Sequence, residues 1–175
     1  MIKLLVLYHS NGGNTKQIAE HVTQGIQQAA ATDNQECEVR LRNTEQATAD
    51  DLLWCDGIAL GSPTNYGNMS WQLKQWWDQT ALPLWSKIDG KVGCVFSASG
   101  GDASGGEMCC LSMLSLLINF GFLVFGVTDY VAPKKTLHYG TIIPGEPRSQ
   151  AEIASCTLLG EKLYRWTLQN TAGQD

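Results

Sequence analysis

Six consecutive residues near the start of the chain, Ser10, Asn11, Gly12, Gly13, Asn14 and Thr15, carry the chemistry of an anion site. Ser, Asn and Thr offer short hydrogen-bond donors, and two glycines let the backbone bend and approach a ligand closely. An apolar run, Lys3 to Tyr8, ends just before them, and a helical pattern follows at once. Buried strand, tight turn and helix N-terminus thus form one continuous piece. The first N–H groups of such a helix are unpaired and carry partial positive charge, which suits a phosphate. An ordinary capped strand-to-helix turn would read the same way from this stretch alone.

Two nucleotide loops are excluded by spacing. A Walker loop ends in Gly-Lys-Ser/Thr, and here Gly13 is followed by Asn14; the G-x-G-x-x-G fingerprint is absent as well. A loop of hydroxyls, amides and backbone without lysine suits a flavin mononucleotide better than ATP.

The elements that must position this turn can be taken in chain order. The first strand, Lys3–Tyr8, is apolar throughout, as a strand covered on both faces should be. A helix from about Asn14 to Ala30 buries Ile18, Val22, Ile26 and Ala29 or Ala30. Glu36–Arg42 reads as an outer strand with Cys37, Val39 and Leu41 inward. A short helical turn is expected over Ala49–Leu53. The third strand, Gly57–Leu60, ends in Gly61-Ser62-Pro63-Thr64. Met69–Thr80 is helical with Leu73, Trp76, Trp77 and Thr80 on one side and Trp71 off that stripe. The fourth strand, Lys91–Ser97, leads into a Gly- and Ser-rich loop to Gly106. Glu107–Phe120 is helical with Leu111, Leu114 and Leu117 or Ile118 inward, and Leu123–Val127 is the fifth strand. A Pro- and Gly-punctuated excursion runs from Asp129 to Pro147. The last helix, Ser149–Leu168, buries Ile153, Cys156, Leu159, Leu163 and Trp166. Strands alternating with helices imply an α/β protein, a doubly wound parallel sheet with right-handed connections. Ligands bind beyond the carboxyl ends of such strands. Three special loops sit there: Ser10–Thr15, Pro63–Asn68 and Ser97–Gly106.

The 175 residues fit a single domain spanning 1–175, and 43% hydrophobic content marks a globular chain. The net charge of −5 and the lack of a basic run argue against nucleic acid. The short first apolar run is no signal peptide, and Leu114 to Val127 is interrupted by Asn119, Gly121 and Gly126, so neither export nor membrane insertion is expected and the location should be cytoplasmic. The six cysteines form no C-x-x-C pair and no metal spacing. Adjacent Cys109 and Cys110 read as buried thiols or as a redox pair.

The stretch Gly61–Thr80, GSPTNYGNMSWQLKQWWDQT, carries a family resemblance. It is similar to the G-[ST]-P-T-x-[FY]-G-N-M-S segment and following D-Q-T helix of the flavodoxin-like superfamily, and within it of the quinone oxidoreductases known as tryptophan-repressor-binding proteins. Leu84-Trp85, Gly90-Lys91, Phe96-Ser97-Ala98-Ser99-Gly100, Gly105-Gly106-Glu107 and His138-Tyr139-Gly140 extend the match along the chain. The resemblance implies a flavodoxin-like five-stranded sheet of order 2-1-3-4-5 with helices on both faces. It implies bound FMN, NADPH or NADH as electron donor, and a quinone substrate. Ser10, Asn11, Gly12, Gly13, Asn14 and Thr15 would hold the phosphate. Pro63, Thr64, Asn65, Tyr66 and Gly67 would line the isoalloxazine ring. Ser97, Ala98, Ser99, Gly100, Gly101 and Asp102 would contact its edge and the ribityl chain. Tyr66 and Trp85 would border the pocket where nicotinamide and quinone alternate. The chain departs from the family pattern at Asn119-Phe120, where relatives often carry a His, in the short Arg42–Gly57 connection, and in a phosphate loop without an aromatic residue.

The implied activity is that of an NAD(P)H dehydrogenase (quinone), a two-electron ping-pong hydride transfer through FMN. No dedicated acid or base is expected; of the three histidines only His138 could reach the pocket. Two alternatives stand beside it. One is a flavodoxin-type one-electron carrier, for which −5 is a mild charge; the other is a flavin-free binding module on the same scaffold. The family also implies a homodimer or homotetramer, with Trp71 as a candidate interface anchor.

Overall fold

A computed structural model describes residues 1–133 and 135–173. Its axis is β1 (Ile2–Tyr8), where Leu4, Leu5, Val6 and Leu7 are all fully buried. Successive side chains of a strand point to opposite faces. Leu4, Val6 and Tyr8 therefore enter one core and Leu5 and Leu7 the other. Each fully buried aliphatic side chain contributes about 1.5–3 kcal/mol.

On one side of β1 runs β2 (Cys37–Asn43); on the other come β3 (Gly57–Pro63), β4 (Val92–Ser99) and the short β5 (Leu123–Val124), all parallel, in the order β2-β1-β3-β4-β5. The expected sheet order is the observed one. β2 is the solvent-facing edge, and its Cys37, Val39 and Leu41 lean inward as the alternation predicts.

The first core lies under α1 (Asn14–Thr32) and α5 (Gln150–Ala172), the second under α2 (Ala49–Trp54), α3 (Trp71–Thr80) and α4 (Gly106–Asn119). α1 and α5 meet backbone to backbone. A Cβ at Gly25 would run into the Thr157 carbonyl, and one at Gly160 into the Val22 carbonyl. α2 opens with a capping box in which the Thr48 N–H donates to Asp51 Oδ2 at 3.0 Å. Arg40 NH1 reaches the other oxygen of Asp51 at 2.9 Å while its guanidinium lies 3.9 Å above the Trp54 ring.

Three expectations need correction. The fifth strand stops at Val124 instead of Val127. The chain then makes an antiparallel hairpin of β6 (Val127–Ala132) and β7 (Lys135–Leu137), and β8 (Thr141–Pro144) returns to pair with β4. Leu123 and Val124 pair with Val92 and Gly93, while Thr141–Pro144 pair with Phe96–Ser99, so one sheet edge is filled by two separate segments. The expected excursion, in which Lys134 lies outside the described residues, is thus largely ordered β structure. On α4 the buried face is Cys109, Cys110, Met113, Leu116 and Leu117, and Leu111 and Ile118 are exposed. The stripe runs through the two thiols and Met113 together with Leu116 and Leu117. On α5 the core takes Tyr164 in place of Trp166, because the buried stripe runs through Gly160, Leu163, Tyr164 and Thr167, against α1 and the sheet.

The Gly160 contact yields a prediction. Gly160→Ala should destabilise the protein by about 1–3 kcal/mol, since the new methyl group has only backbone to displace. Urea unfolding read by far-UV circular dichroism checks this, and an unchanged midpoint would show that α1 and α5 can separate at no cost.

Candidate ligand site at the carboxyl edge of the sheet

The chain leaves β1 at Tyr8 and enters α1 at Asn14 through Gly13, whose φ of 91° is left-handed and favours glycine. Gly13 N–H donates to Ser10 Oγ at 3.1 Å, which folds the loop back on itself. The N-cap offers no side-chain oxygen to the first helical N–H groups, and the first turn holds no acidic residue. A Cβ at Gly12 would meet nothing within 4 Å. Unpaired donors, partial positive charge and open space in front of them are what an anion cradle requires.

The second loop leaves β3 at Pro63. Thr64 N–H donates to the Ala98 carbonyl at 2.7 Å, carrying the β3–β4 ladder one residue further. Asn65 and Asn68 exchange two backbone bonds, of 2.9 and 3.0 Å, across Tyr66 (φ 53°) and Gly67 (φ 77°). Two left-handed residues between paired neighbours form the tight turn with φ > 0 at both central positions. Tyr66 stands at its tip, fully exposed. The third loop follows Ser99; Ser99 Oγ and Ser104 Oγ both donate to the Gly101 carbonyl, at 2.9 and 2.6 Å. It ends at Gly105 (φ 89°), where a Cβ would stand 2.9 Å from the Cα of Gly67, so the second and third loops touch through their backbones.

All three loops meet in a cleft of about 160 Å3 lined by Ser10, Asn11, Gly12, Asn14, Thr15, Pro63, Thr64, Ala98, Ser99 and Gly100. Most of the expected cofactor-binding residues therefore share one space. Every side chain in this lining is neutral, and none is titratable near pH 7. Gly13 faces the neighbouring recess with Tyr8, His9, Lys16 and Thr44, and Gly101 and Asp102 line a wider depression of about 650 Å3 that reaches Lys135 and shares Ser99 with the cleft. Asn65, Tyr66 and Gly67 form the rim.

Two residues are placed otherwise than expected. Ser97 is fully buried; its hydroxyl donates to the Ser62 carbonyl at 2.8 Å and lies 2.8 Å from Thr64 Oγ1. Its side chain braces the loop from behind. Trp85 follows the short 3-10 turn Leu82–Leu84 and packs edge-on against Phe120, ring centres 5.0 Å apart, at the C-terminal end of α4. With 14 residues in α4, that is about 20 Å from the helix start beside the cleft. Within one chain Trp85 and Tyr66 do not face a common pocket. Trp85 lines a groove of about 490 Å3 between α3 and α4 instead. His138 lies exposed in the turn after β7 and lines none of these spaces.

Nothing in the sequence singles out His9, yet the structure puts it against the Ser10–Thr15 loop. Its Nε2 lies 2.8 Å from Asn11 Oδ1 and its Nδ1 3.1 Å from Thr44 Oγ1. The available signal was its position, one residue past the strand and one before Ser10.

Cys109 and Cys110 are both buried and unpaired. Burial pushes the Cys109 thiol up, against the opposing effect of the nearby Ser97 hydroxyl, and burial drives Cys110 well up. Burial likewise pushes Cys55 and Cys156 up to about 12, and Cys37, half-buried and near Asp56, up to about 11. A raised thiol pKa leaves little of the reactive thiolate at neutral pH. A disulfide reagent at pH 8 should therefore modify the native protein slowly and at Cys37 first, with the other five cysteines reacting only on unfolding. Rapid modification of Cys109 or Cys110, read by peptide mass mapping, would restore the redox-pair reading.

A family model described as "Flavodoxin-like fold" matches residues 2–109. A protein named flavodoxin from Aquifex aeolicus is 51% identical over 166 residues, covering 95% of this chain and 87% of its own. A protein named NAD(P)H dehydrogenase (quinone) 3 from Rhizobium meliloti is 34% identical over 176 residues, covering 88% of this chain and 79% of its own. Among solved structures, a flavodoxin, WrbA-like protein from Agrobacterium tumefaciens superposes with a TM-score of 0.76 at 21% identity, over 97% of this chain and 99% of the other.

Proposed function

The chain belongs to the flavodoxin-like family, and on that premise we propose that it binds FMN and works as a one-electron carrier of the flavodoxin type. The carrying observation is the cleft itself. An anion cradle at one end, backbone-rich walls from two further loops and an open rim match a phosphate, a ribityl chain and a flat ring in that order. The redox chemistry is that of FMN, which takes up and releases electrons.

What the chain contributes is binding and exposure. The N–H groups at the start of α1 and the hydroxyls of Ser10 and Thr15 hold the phosphate. The Thr64 and Ser99 loops are braced by buried hydroxyls, so they meet a ring without reorganising. No titratable side chain lines the cleft, so nothing there exchanges protons with a bound substrate. The fully exposed Tyr66 and the open rim leave the ring edge accessible to a redox partner protein.

A second reading, the NAD(P)H:quinone oxidoreductase, is favoured by the Gly61–Thr80 segment and by the relationship to a quinone dehydrogenase. It takes NADPH or NADH as donor and a quinone as acceptor. It also calls for a homodimer or homotetramer, to which Trp71, 66% exposed on α3, would contribute. Anaerobic addition of NADPH to the FMN-loaded protein separates the two. A carrier keeps its flavin absorbance for minutes, and after chemical reduction passes electrons to cytochrome c. Bleaching within seconds, reversed by benzoquinone, selects the oxidoreductase.

The phosphate assignment has its own test. Gly12→Asp adds a carboxylate where there is room and no left-handed φ, so the fold should persist. Two like charges a few ångströms apart near a protein surface cost several kcal/mol. FMN affinity should fall at least about 100-fold by flavin fluorescence titration, with an unchanged circular dichroism spectrum. Unaltered affinity would move the phosphate elsewhere.

A further inference from the structure

We propose that His9 is a positioning residue that sets which end of the Asn11 side-chain amide faces the anion cradle. The inference rests on the FMN reading above and concerns its phosphate alone.

Asn11 stands between two spaces. It lines the cleft with Gly12, Asn14 and Thr15, and it lines the recess with His9, Lys16 and Thr44. An amide presents two donors at one end and an acceptor at the other. Toward a phosphate dianion the NH2 end attracts and the carbonyl end repels, so the orientation decides the sign of the contribution. Nothing in Asn11 itself chooses between the two.

His9 makes the choice. Its Nε2 lies 2.8 Å from Asn11 Oδ1; with the carbonyl oxygen on that side the bond requires Nε2 to carry the proton, so the amide orientation and the ring tautomer are set together. In the neutral ring Nδ1 is then an acceptor, and the hydroxyl of Thr44, 3.1 Å away, donates to it. Thr44 is itself held, because its N–H donates to the Tyr8 carbonyl at 3.0 Å, one residue past the end of the β1–β2 ladder. A chain of polar contacts thus runs from Thr44 through the imidazole to the Asn11 carbonyl. It ties that oxygen to the recess and leaves the NH2 for the cleft. The opposite tautomer would reverse both bonds, draw the NH2 toward the ring and turn the carbonyl oxygen on the phosphate. A protonated ring also donates from Nε2 and keeps the same orientation. Lys16 and Glu45 line the same recess, but neither is bonded to the ring.

Three measurements test this, and riboflavin serves as a probe identical to FMN except for the phosphate. First, long-range 1H–15N NMR of the FMN-loaded wild type at pH 8 should show His9 as the Nε2–H tautomer; the Nδ1–H tautomer would overturn the proposal without any variant. Second, His9→Phe should weaken FMN roughly tenfold and leave riboflavin within about twofold, the scale of one charge-assisted hydrogen bond lost and one repulsion gained. His9→Gln, whose amide can still donate to Asn11, should recover most of the loss. Third, once Asn11→Ala has removed the amide, adding His9→Phe should cost nothing more. An additive double variant would mean that His9 acts by some other route and would overturn the inference. Equal affinity of the wild type for FMN and riboflavin would overturn the phosphate assignment and this inference with it. A clear preference for FMN that His9→Phe does not touch would overturn this inference alone.

Discussion

Every strand of the main sheet runs in the same direction, and the rest of the molecule follows from that. Parallel strands release the chain at one common edge, where the ladder stops and backbone groups lose their partners. Burial of β1 on both faces holds the ladder in place, with Leu4, Leu5, Val6 and Leu7 removed from water altogether. At the edge the pairing is carried one residue further by bonds from His9 N–H to the Gly61 carbonyl, from Thr44 N–H to the Tyr8 carbonyl and from Thr64 N–H to the Ala98 carbonyl. These three bonds fix where the loops after β1, β2 and β3 begin, side by side. The cleft is what remains between loops that begin together and diverge.

The loops could still be soft, and buried hydroxyls prevent it. Ser97 donates to the Ser62 carbonyl and meets Thr64 Oγ1; Ser62 Oγ accepts from Ser70 N–H; Ser70 Oγ in turn accepts from Leu73 N–H and caps α3. A buried hydroxyl left without a partner costs about 1–3 kcal/mol, so moving any one of these groups strands the next. One polar chain therefore locks the end of β3, the end of β4 and the start of α3 together. The ligand-facing surface is soft chemistry on a hard base: small neutral residues in front, a satisfied network behind.

Much of this was legible in the sequence, and the exceptions share a cause. Alternation of apolar strands and amphipathic helices gave the architecture, because burial on two faces imposes continuous apolar runs such as Lys3–Tyr8. Gly12-Gly13, the Gly61–Thr80 segment and the Gly- and Ser-rich run from Ser97 to Gly106 located all three loops. What failed was decided by geometry between distant segments. Nothing local to Leu123–Val127 says that the strand breaks at Phe125 and that Thr141–Pro144 completes the edge; that depends on the hairpin between them. The core stripe of α4 runs through two cysteines and a methionine, and hydrophobicity ranked larger residues above them. The resemblance implies a cofactor contact at Ser97, but its side chain lies on the inner side of the strand end. His9 was passed over because its role is set by Asn11 and Thr44, the latter 35 positions away.

The placement of Trp85 bears on function more than any other of these differences. A quinone reductase needs walls that sandwich a second flat molecule against the ring, and its chemistry improves as water is excluded. A carrier needs the reverse, an edge that a partner can approach. Tyr66, at the tip of the second loop, is held at a left-handed φ by the paired Asn65 and Asn68. Such a conformation costs a non-glycine residue about 1–2 kcal/mol, and here it projects the ring entirely into solvent. Trp85 does not face it, because its ring is packed on Phe120 at the C-terminal end of α4. The carrier reading asks for nothing beyond one chain, whereas the reductase reading calls for a second aromatic wall that Trp85 of the same chain, packed on Phe120, does not provide.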